Sequence, residues 1–322
     1  MKPPYLITTR IVELIASISE KIGEVNAAYL FKPPAELRKR NRIKTIHSSL
    51  EIEGNSLSLD QVTAILENKR VIAPQKDILE VKNAIEAYNR LDSFVSTSLS
   101  SFCEAHALLM NGLIDNPGRI RTKPVGIIKG SIVTHITPPG KMVKSLLNEL
   151  FNYVKKDRDL LLIKSCVFHY ELEFIHPFMD GNGRMGRLWQ TVILRQYSQV
   201  FEFLPIESLV KSRQKEYYRI LVESDDKGNS TGFIEFMLQI INESLEELLN
   251  NQGVNLTGAD RITIFKDKNR KAFFSRQEYM RQFKDISSAT ASRDLKKAVN
   301  KGILVKTGDK RTTSYKFKDF QN

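Results

Sequence analysis

The chain has 322 residues, with 49 Lys+Arg against 37 Asp+Glu and a formal net charge of +12. Its 41% hydrophobic and 27% charged residues are ordinary globular values, which excludes wholesale disorder and collagen-like repeats. At roughly 150 residues per domain the length predicts two domains, and the charge is uneven between them: residues 260–322 hold 17 Lys/Arg against 7 Asp/Glu, so the basic character belongs to the C-terminal piece.

From the N-terminus, Ile11, Leu14, Ile15, Ile18 and Ile22 recur at helical steps. Arg10 and Glu13 break this apolar stretch, so it does not read as a signal peptide. A second helix, over about 41–54, has Ile43, Ile46 and Leu50 as its apolar positions and Gly54 as its stop. Ser49 and Glu53 share one face of it, and a glutamate this late opposes the helix dipole at a small cost. Further helices follow through Val62, Ile65 and Leu66 and through Leu79, Ala84, Ile85, Ala87 and Tyr88, punctuated by Pro33-Pro34 and Ala73-Pro74. The stretch 125–136 is β-branched, interrupted by Lys129-Gly130 and closed by Pro138-Pro139-Gly140; it predicts a lone β-hairpin packed on a helical body. Helical periodicity resumes at 142–147, 160–174, 185–197, from Lys211, and at 233–249. The longest Leu/Ile run near the middle, 160–163, falls far below the roughly 18 apolar residues of a membrane helix. Cys103 and Cys166 lack metal-ligand spacing and read as buried free thiols. A cytoplasmic protein without membrane contact is expected.

Past a polar linker at 250–258, Ser275 caps a helix containing Tyr279, Met280 and Phe283. A second helix over about 289–300 carries Leu295 and Val299 and stops at Gly302. A hairpin at 303–305 and 314–317 turns at Thr307-Gly308-Asp309. Helix, turn, helix and hairpin is the order of a winged helix-turn-helix domain. Its second helix presents Ser288, Thr290, Ser292, Arg293, Lys296 and Lys297, with Lys310 and Arg311 on the wing. These residue types suit DNA phosphates and base edges; the same elements serve protein contact, including a homodimer.

The stretch from His176 to Arg187 reads His-Pro-Phe-Met-Asp-Gly-Asn-Gly-Arg-Met-Gly-Arg. Pro177 disfavours helix at His176, so the preceding helix ends there. Gly181 and Gly183 let backbone approach a ligand. The next helix starts at about Arg184, and its free N–H groups with Arg184 and Arg187 form an anion site of phosphate type. Asp180 makes sense there if a hard divalent cation, most simply Mg²⁺, bridges it to phosphates. His176 alone titrates near neutral pH, which makes it the candidate base. His169, Glu173 and His176 have a spacing that suits a transition metal, but no third strong ligand is evident. His47, His106 and His135 read as structural or surface residues, His135 lying on the hairpin; Trp189 reads as core, and Tyr217-Tyr218 has no assigned role.

This stretch resembles the Fic family, whose motif runs His-x-Phe-x-Asp/Glu-Gly-Asn-Gly-Arg-x-x-Arg and is matched at every fixed position. Pro117-Gly118-x-x-Arg121, the hairpin in the family's flap position and His169-Tyr170 add to a likeness that covers about 35–210. The resemblance implies an all-α Fic domain with a β-hairpin flap, followed here by the small winged-helix domain. The divisions are then an N-terminal helical region at 1–110, a catalytic core at 111–250 and the winged helix at 260–322. It also implies transfer of AMP from ATP to a Tyr, Thr or Ser hydroxyl of a target protein docked on the 125–136 flap. His176 would be the base and Asp180 the Mg²⁺ ligand; Gly181, Asn182 and Gly183 would line the phosphate cradle. Arg184 would meet the β-phosphate, Arg187 the γ-phosphate, and Phe178 would anchor the loop in the core. Fic proteins often carry an inhibitory helix of pattern Ser/Thr-x-x-x-Glu-Gly/Asn, matched by Ser49 to Glu53-Gly54, which implies that Glu53 pairs with Arg187 and restrains the enzyme. In some members the same glutamate supports removal of AMP. Two readings stay beside this one: a DNA-binding regulator whose Fic portion senses nucleotide, and transfer of a different phosphate-bearing group.

Overall fold

The computed structural model describes residues 3–29, 35–129, 132–250, 258–269, 273–283, 286–309 and 313–318, without the side chains of 28–29, 126–129, 132–136 and 267–268. Pro33, Pro34, Gly130, most of the expected linker and the wing residues Lys310 and Arg311 lie outside the described residues. The chain divides into two units, Met1–Lys32 with Lys39–Asn250, and Pro33–Arg38 with Asn251–Asn322.

In the first unit α1 (Thr9–Tyr29) buries Ile11, Leu14, Ile18, Ile22 and Val25 against α11 (Thr231–Asn250). One apolar stripe per helix is what a surface helix needs. The centre is different: α7 (Leu161–Ile175) and α8 (Asn182–Leu194) are buried nearly all round and pack on each other. Around them Phe102 of α5 (Leu99–Leu109) meets Phe151 of α6 (Gly140–Lys156), Phe168, Phe178 and Trp189, with centroids 5.1–6.1 Å apart. Trp189 is core, as expected, and its indole N–H donates to Ser96 O at 3.1 Å. Even the buried Lys164 has a structural use: its ammonium donates to Val154 O at 2.9 Å and Asp157 O at 2.6 Å, placing a cation on the C-terminal carbonyls of α6. Cys166 is buried and Cys103 only half-buried, and neither forms a disulfide.

Three helices frame the site from the N-terminal side. α2 (Ala35–Ile52) buries Ile43, Ile46 and Leu50 together with Thr45, Ser48 and Ser49, and the chain turns at Gly54 with φ +90°. α3 (Leu59–Leu66) starts on a Ser58/Gln61 capping box, and α4 (Gln75–Asn89) packs on α5. The expected hairpin is β1 (Gly126–Lys129) and β2 (Ile132–Ile136), antiparallel, with a register shift between Ile127 and Ile128. α9 (Ile206–Ser212) and α10 (Gln214–Lys227) precede α11.

The second unit builds its own core from Ile262, Phe265, Phe274, Tyr279, Ala291, Leu295, Ala298, Leu304 and Phe317. It consists of α12 (Gly258–Lys268), α13 (Arg276–Gln282), α14 (Ser288–Asn300), β3 (Leu304–Thr307) and β4 (Ser314–Phe317). Ser275 caps α13 in a capping box with Glu278, and Gly302 turns with φ +70°. α12 has no counterpart in the sequence reading; its buried Arg261 pairs with Asp294 of α14 at 2.7 Å, and Tyr279 Oη donates to the same carboxylate at 3.2 Å.

Candidate active site

α7 ends where Pro177 requires. His176 is its C-cap in a left-handed conformation (φ 49°, ψ 64°), half-buried, its Nδ1 3.4 Å from Glu173 O. Phe178 points into the core, fully buried and stacked on Phe102. α8 begins at Asn182, two residues before the expected start. Gly181 takes φ +82° and gives no side-chain cap, so the first-turn N–H groups have no intrahelical partner. The Asn182 side chain is taken up within the loop. Its Oδ1 accepts from Phe178 N–H and its Nδ2 donates to Phe178 O, both at 2.9 Å, which closes the loop on itself.

The arginines are held on one side of this helix start. Arg187 is 3% exposed. Its Nε donates to Ser49 Oγ at 3.0 Å and its Nη2 to Ser49 O at 2.9 Å and Glu53 Oε1 at 2.6 Å. Burial alone would lower its pKa; the charge of Glu53, helped by Tyr217 and Glu173, more than offsets this and raises it. The Glu53 carboxylate overlies Gly183: a Cβ there would come within 2.5 Å of Oε1. Arg184, also buried, donates from Nη1 to Glu80 Oε1 at 3.1 Å and from Nη2 to Asp180 Oδ1 at 3.2 Å. Glu80 in turn accepts from Asn55 Nδ2 at 2.8 Å. Glu53, Gly54 and Asn55 are consecutive, so one turn engages one arginine directly and the other through Glu80.

Asp180 is 54% exposed at its side chain, and its Oδ1 also accepts from Gly181 N–H. Among the described residues no group of three or more His, Cys, Asp or Glu could hold a metal by itself. One exposed carboxylate suits a hard cation such as Mg²⁺ where polyphosphate oxygens complete the shell.

His106, read from the sequence as a structural or surface residue, is structural and braces the loop. It is fully buried and stacked on Phe178 with ring centroids 3.6 Å apart. Its Nδ1 accepts from Gly118 N–H at 2.7 Å, which puts the ring proton on Nε2, 2.9 Å from Asp180 O. Burial pushes its pKa down to about 4, against the hydrogen bond to Asp180, so the ring is neutral. His169 is likewise structural: Nδ1 pairs with Gln190 Oε1 at 2.9 Å and Nε2 with the hydroxyl of Tyr217, previously without a role, at 3.1 Å. Burial lowers its pKa to about 3. In the second unit Arg293, Lys296 and Lys297 lie exposed on α14, away from the buried Ala291, Leu295 and Ala298.

Residues 96–194 match the sequence pattern of the Fic/DOC family. The protein adenylyltransferase Fic of Nematostella vectensis is 26% identical over 275 residues, 80% of this chain and 62% of that one. Protein adenylyltransferase fic-1 of Caenorhabditis elegans is 29% identical over 231 residues, 67% of this chain and 42% of that one. The chain thus spans less than two thirds of each of these two relatives. The crystal structure of a Fic family protein from Desulfovibrio desulfuricans G20 superposes with a TM-score of 0.75 at 36% identity, covering 100% of both chains. With a relative matched from end to end and every fixed motif position filled from His176 to Arg187, the chain belongs to the Fic/DOC family.

Proposed function

We propose that the protein is an adenylyltransferase that moves AMP from ATP to a hydroxyl side chain of a target protein and is restrained by Glu53. The observation that carries this reading is the convergence at the start of α8, where the helix-start amides, two buried arginines and the half-buried His176 surround one glycine-lined turn. His176 accepts the proton of the target hydroxyl; that oxygen bonds to the α-phosphorus, the bond from the α-phosphorus to the bridging oxygen breaks, and pyrophosphate leaves. Displacement at phosphorus calls for positioning and charge neutralisation more than covalent help. Arg184 meets the β-phosphate and Arg187 the γ-phosphate, while the amides of Gly181, Asn182 and Gly183 line the phosphates. Magnesium held by Asp180, when bound, neutralises phosphate charge. The target docks as an added strand on the 125–136 flap.

Glu53 occupies Arg187 and overlies Gly183, which supports its role as the restraint. On this reading 1–110 is the region that carries the restraint, 111–250 the catalytic core and 260–322 a winged-helix appendage. The exposed Arg293, Lys296 and Lys297 further suggest contact of that appendage with DNA phosphates.

Incubation of the full chain with labelled ATP and Mg²⁺ tests the main reading. Glu53→Gly should incorporate label well above wild type, and His176→Ala in that background should lose at least about 100-fold. Equal labelling of wild type and Glu53→Gly removes the restraint; labelling that survives His176→Ala removes the base.

A further inference from the structure

Arg121 lies at 3% exposure just before the hairpin. Its charge is met by carbonyl dipoles alone among the described residues, and burial lowers its pKa. Nε donates to His176 O at 2.6 Å, Nη2 to Ile175 O at 3.0 Å and Pro138 O at 2.9 Å, and Nη1 to Lys123 O at 2.8 Å. Its own N–H donates to Pro177 O at 2.9 Å. Lys123 precedes β1 and Pro138 follows β2, so one guanidinium joins both stems of the hairpin to the end of α7. A cation on the last carbonyls of a helix is favourably placed. The held residue is also unusual: His176 has φ 49°, which a side-chain-bearing residue keeps only when its surroundings over-determine it.

We propose that Arg121 is the positioning residue of this site: it holds His176 in its left-handed conformation and fastens the hairpin to it, so that a backbone docked on β1–β2 and the imidazole share one frame. The proposal rests on the roles given above to His176 and the flap, and its test separates from theirs. Lysine keeps a buried cation but cannot span four carbonyls from one planar fork.

Amide exchange of the full chain without nucleotide is the first measurement. In Arg121→Lys, exchange over 123–129, 132–138 and 175–178 should rise together by about 10-fold, the equivalent of one lost hydrogen bond, while α1 and α11 keep their wild-type rates. This result does not depend on any transfer of AMP. Loosening of the hairpin with 175–178 unchanged, or the reverse, overturns the tie. The second measurement, in the Glu53→Gly background, should find kcat for labelling down about 100-fold with KM for ATP within about threefold of its parent. A kcat retained while KM for ATP rises would overturn the positioning role. If Glu53→Gly itself takes no label, the proposed activity fails while the exchange measurement still decides for or against Arg121. Should Arg121→Lys not fold, Arg121→Gln, which keeps two donors without the charge, replaces it in both measurements.

Discussion

Glu207 shows what burial does to a single group. It is 2% exposed, and Tyr88 Oη donates to its Oε1 at 3.3 Å. Burial raises its pKa from 4.5 to about 7, against the lowering by Arg187, Tyr88 and Thr45. A carboxyl whose folded pKa lies above the unfolded one favours the folded state in its protonated form; the folded state is penalised at high pH, and the penalty fades as pH falls through about 7 towards 4.5. Glu207→Gln should therefore stabilise the protein by up to about 3 kcal/mol well above neutrality and by nearly nothing in acid. Denaturant unfolding at the two extremes checks this; equal effects at both would contradict the assigned cause. The same scale explains which residues sequence reasoning missed. His176, Asp180, Arg184 and Arg187 stand in one short run whose chemistry is written in side-chain types. The partners of His106 are a backbone amide and a carbonyl in distant segments, which no pattern of residue types records. Glu80 is 104 residues from Arg184, so only the fold could pair them.

The α7–α8 pair sets the geometry of the site at the scale of elements. Gly186, a variable position of the motif, lies where they touch: a Cβ would stand 2.7 Å from His169 Cδ2 and 3.1 Å from Glu173 Oε1. Both neighbours are buried or nearly so, so they have little room to give. Gly186→Ala should cost about 1–3 kcal/mol in denaturant unfolding, whereas Gly23→Ala, with nothing within 4 Å, should cost nothing measurable. Element boundaries were legible wherever a residue forces the backbone. Pro177 stops α7, Gly54 turns after α2, and Ser275 caps α13. The sequence places the start of α8 about two residues late, since Asn182 closes the loop with its side chain while already opening the helix. The register shift in the hairpin and the existence of α12 left no trace in periodicity, since one is a single-residue irregularity and the other a short helix with few apolar positions.

Over the whole chain the formal charge is +12, and three of its cations, Arg293, Lys296 and Lys297, stand exposed on one helix. If they neutralise DNA phosphates as proposed, affinity for random duplex falls with salt. Replacing all three by Gln should then flatten the log–log slope by about 3. An unchanged slope, or no binding at low salt, would assign α14 to another use. The other large-scale consequence lies in where Arg187 finds its partners. Ser49 and Glu53 belong to the same polypeptide as the arginine they engage. If Glu53 restrains the enzyme as proposed, a brake mounted this way responds to a first-order equilibrium, indifferent to how many copies a cell makes. On that reading dilution or overexpression would leave the fraction of released molecules unchanged, and a ligand that competes for the end of α2 would shift it.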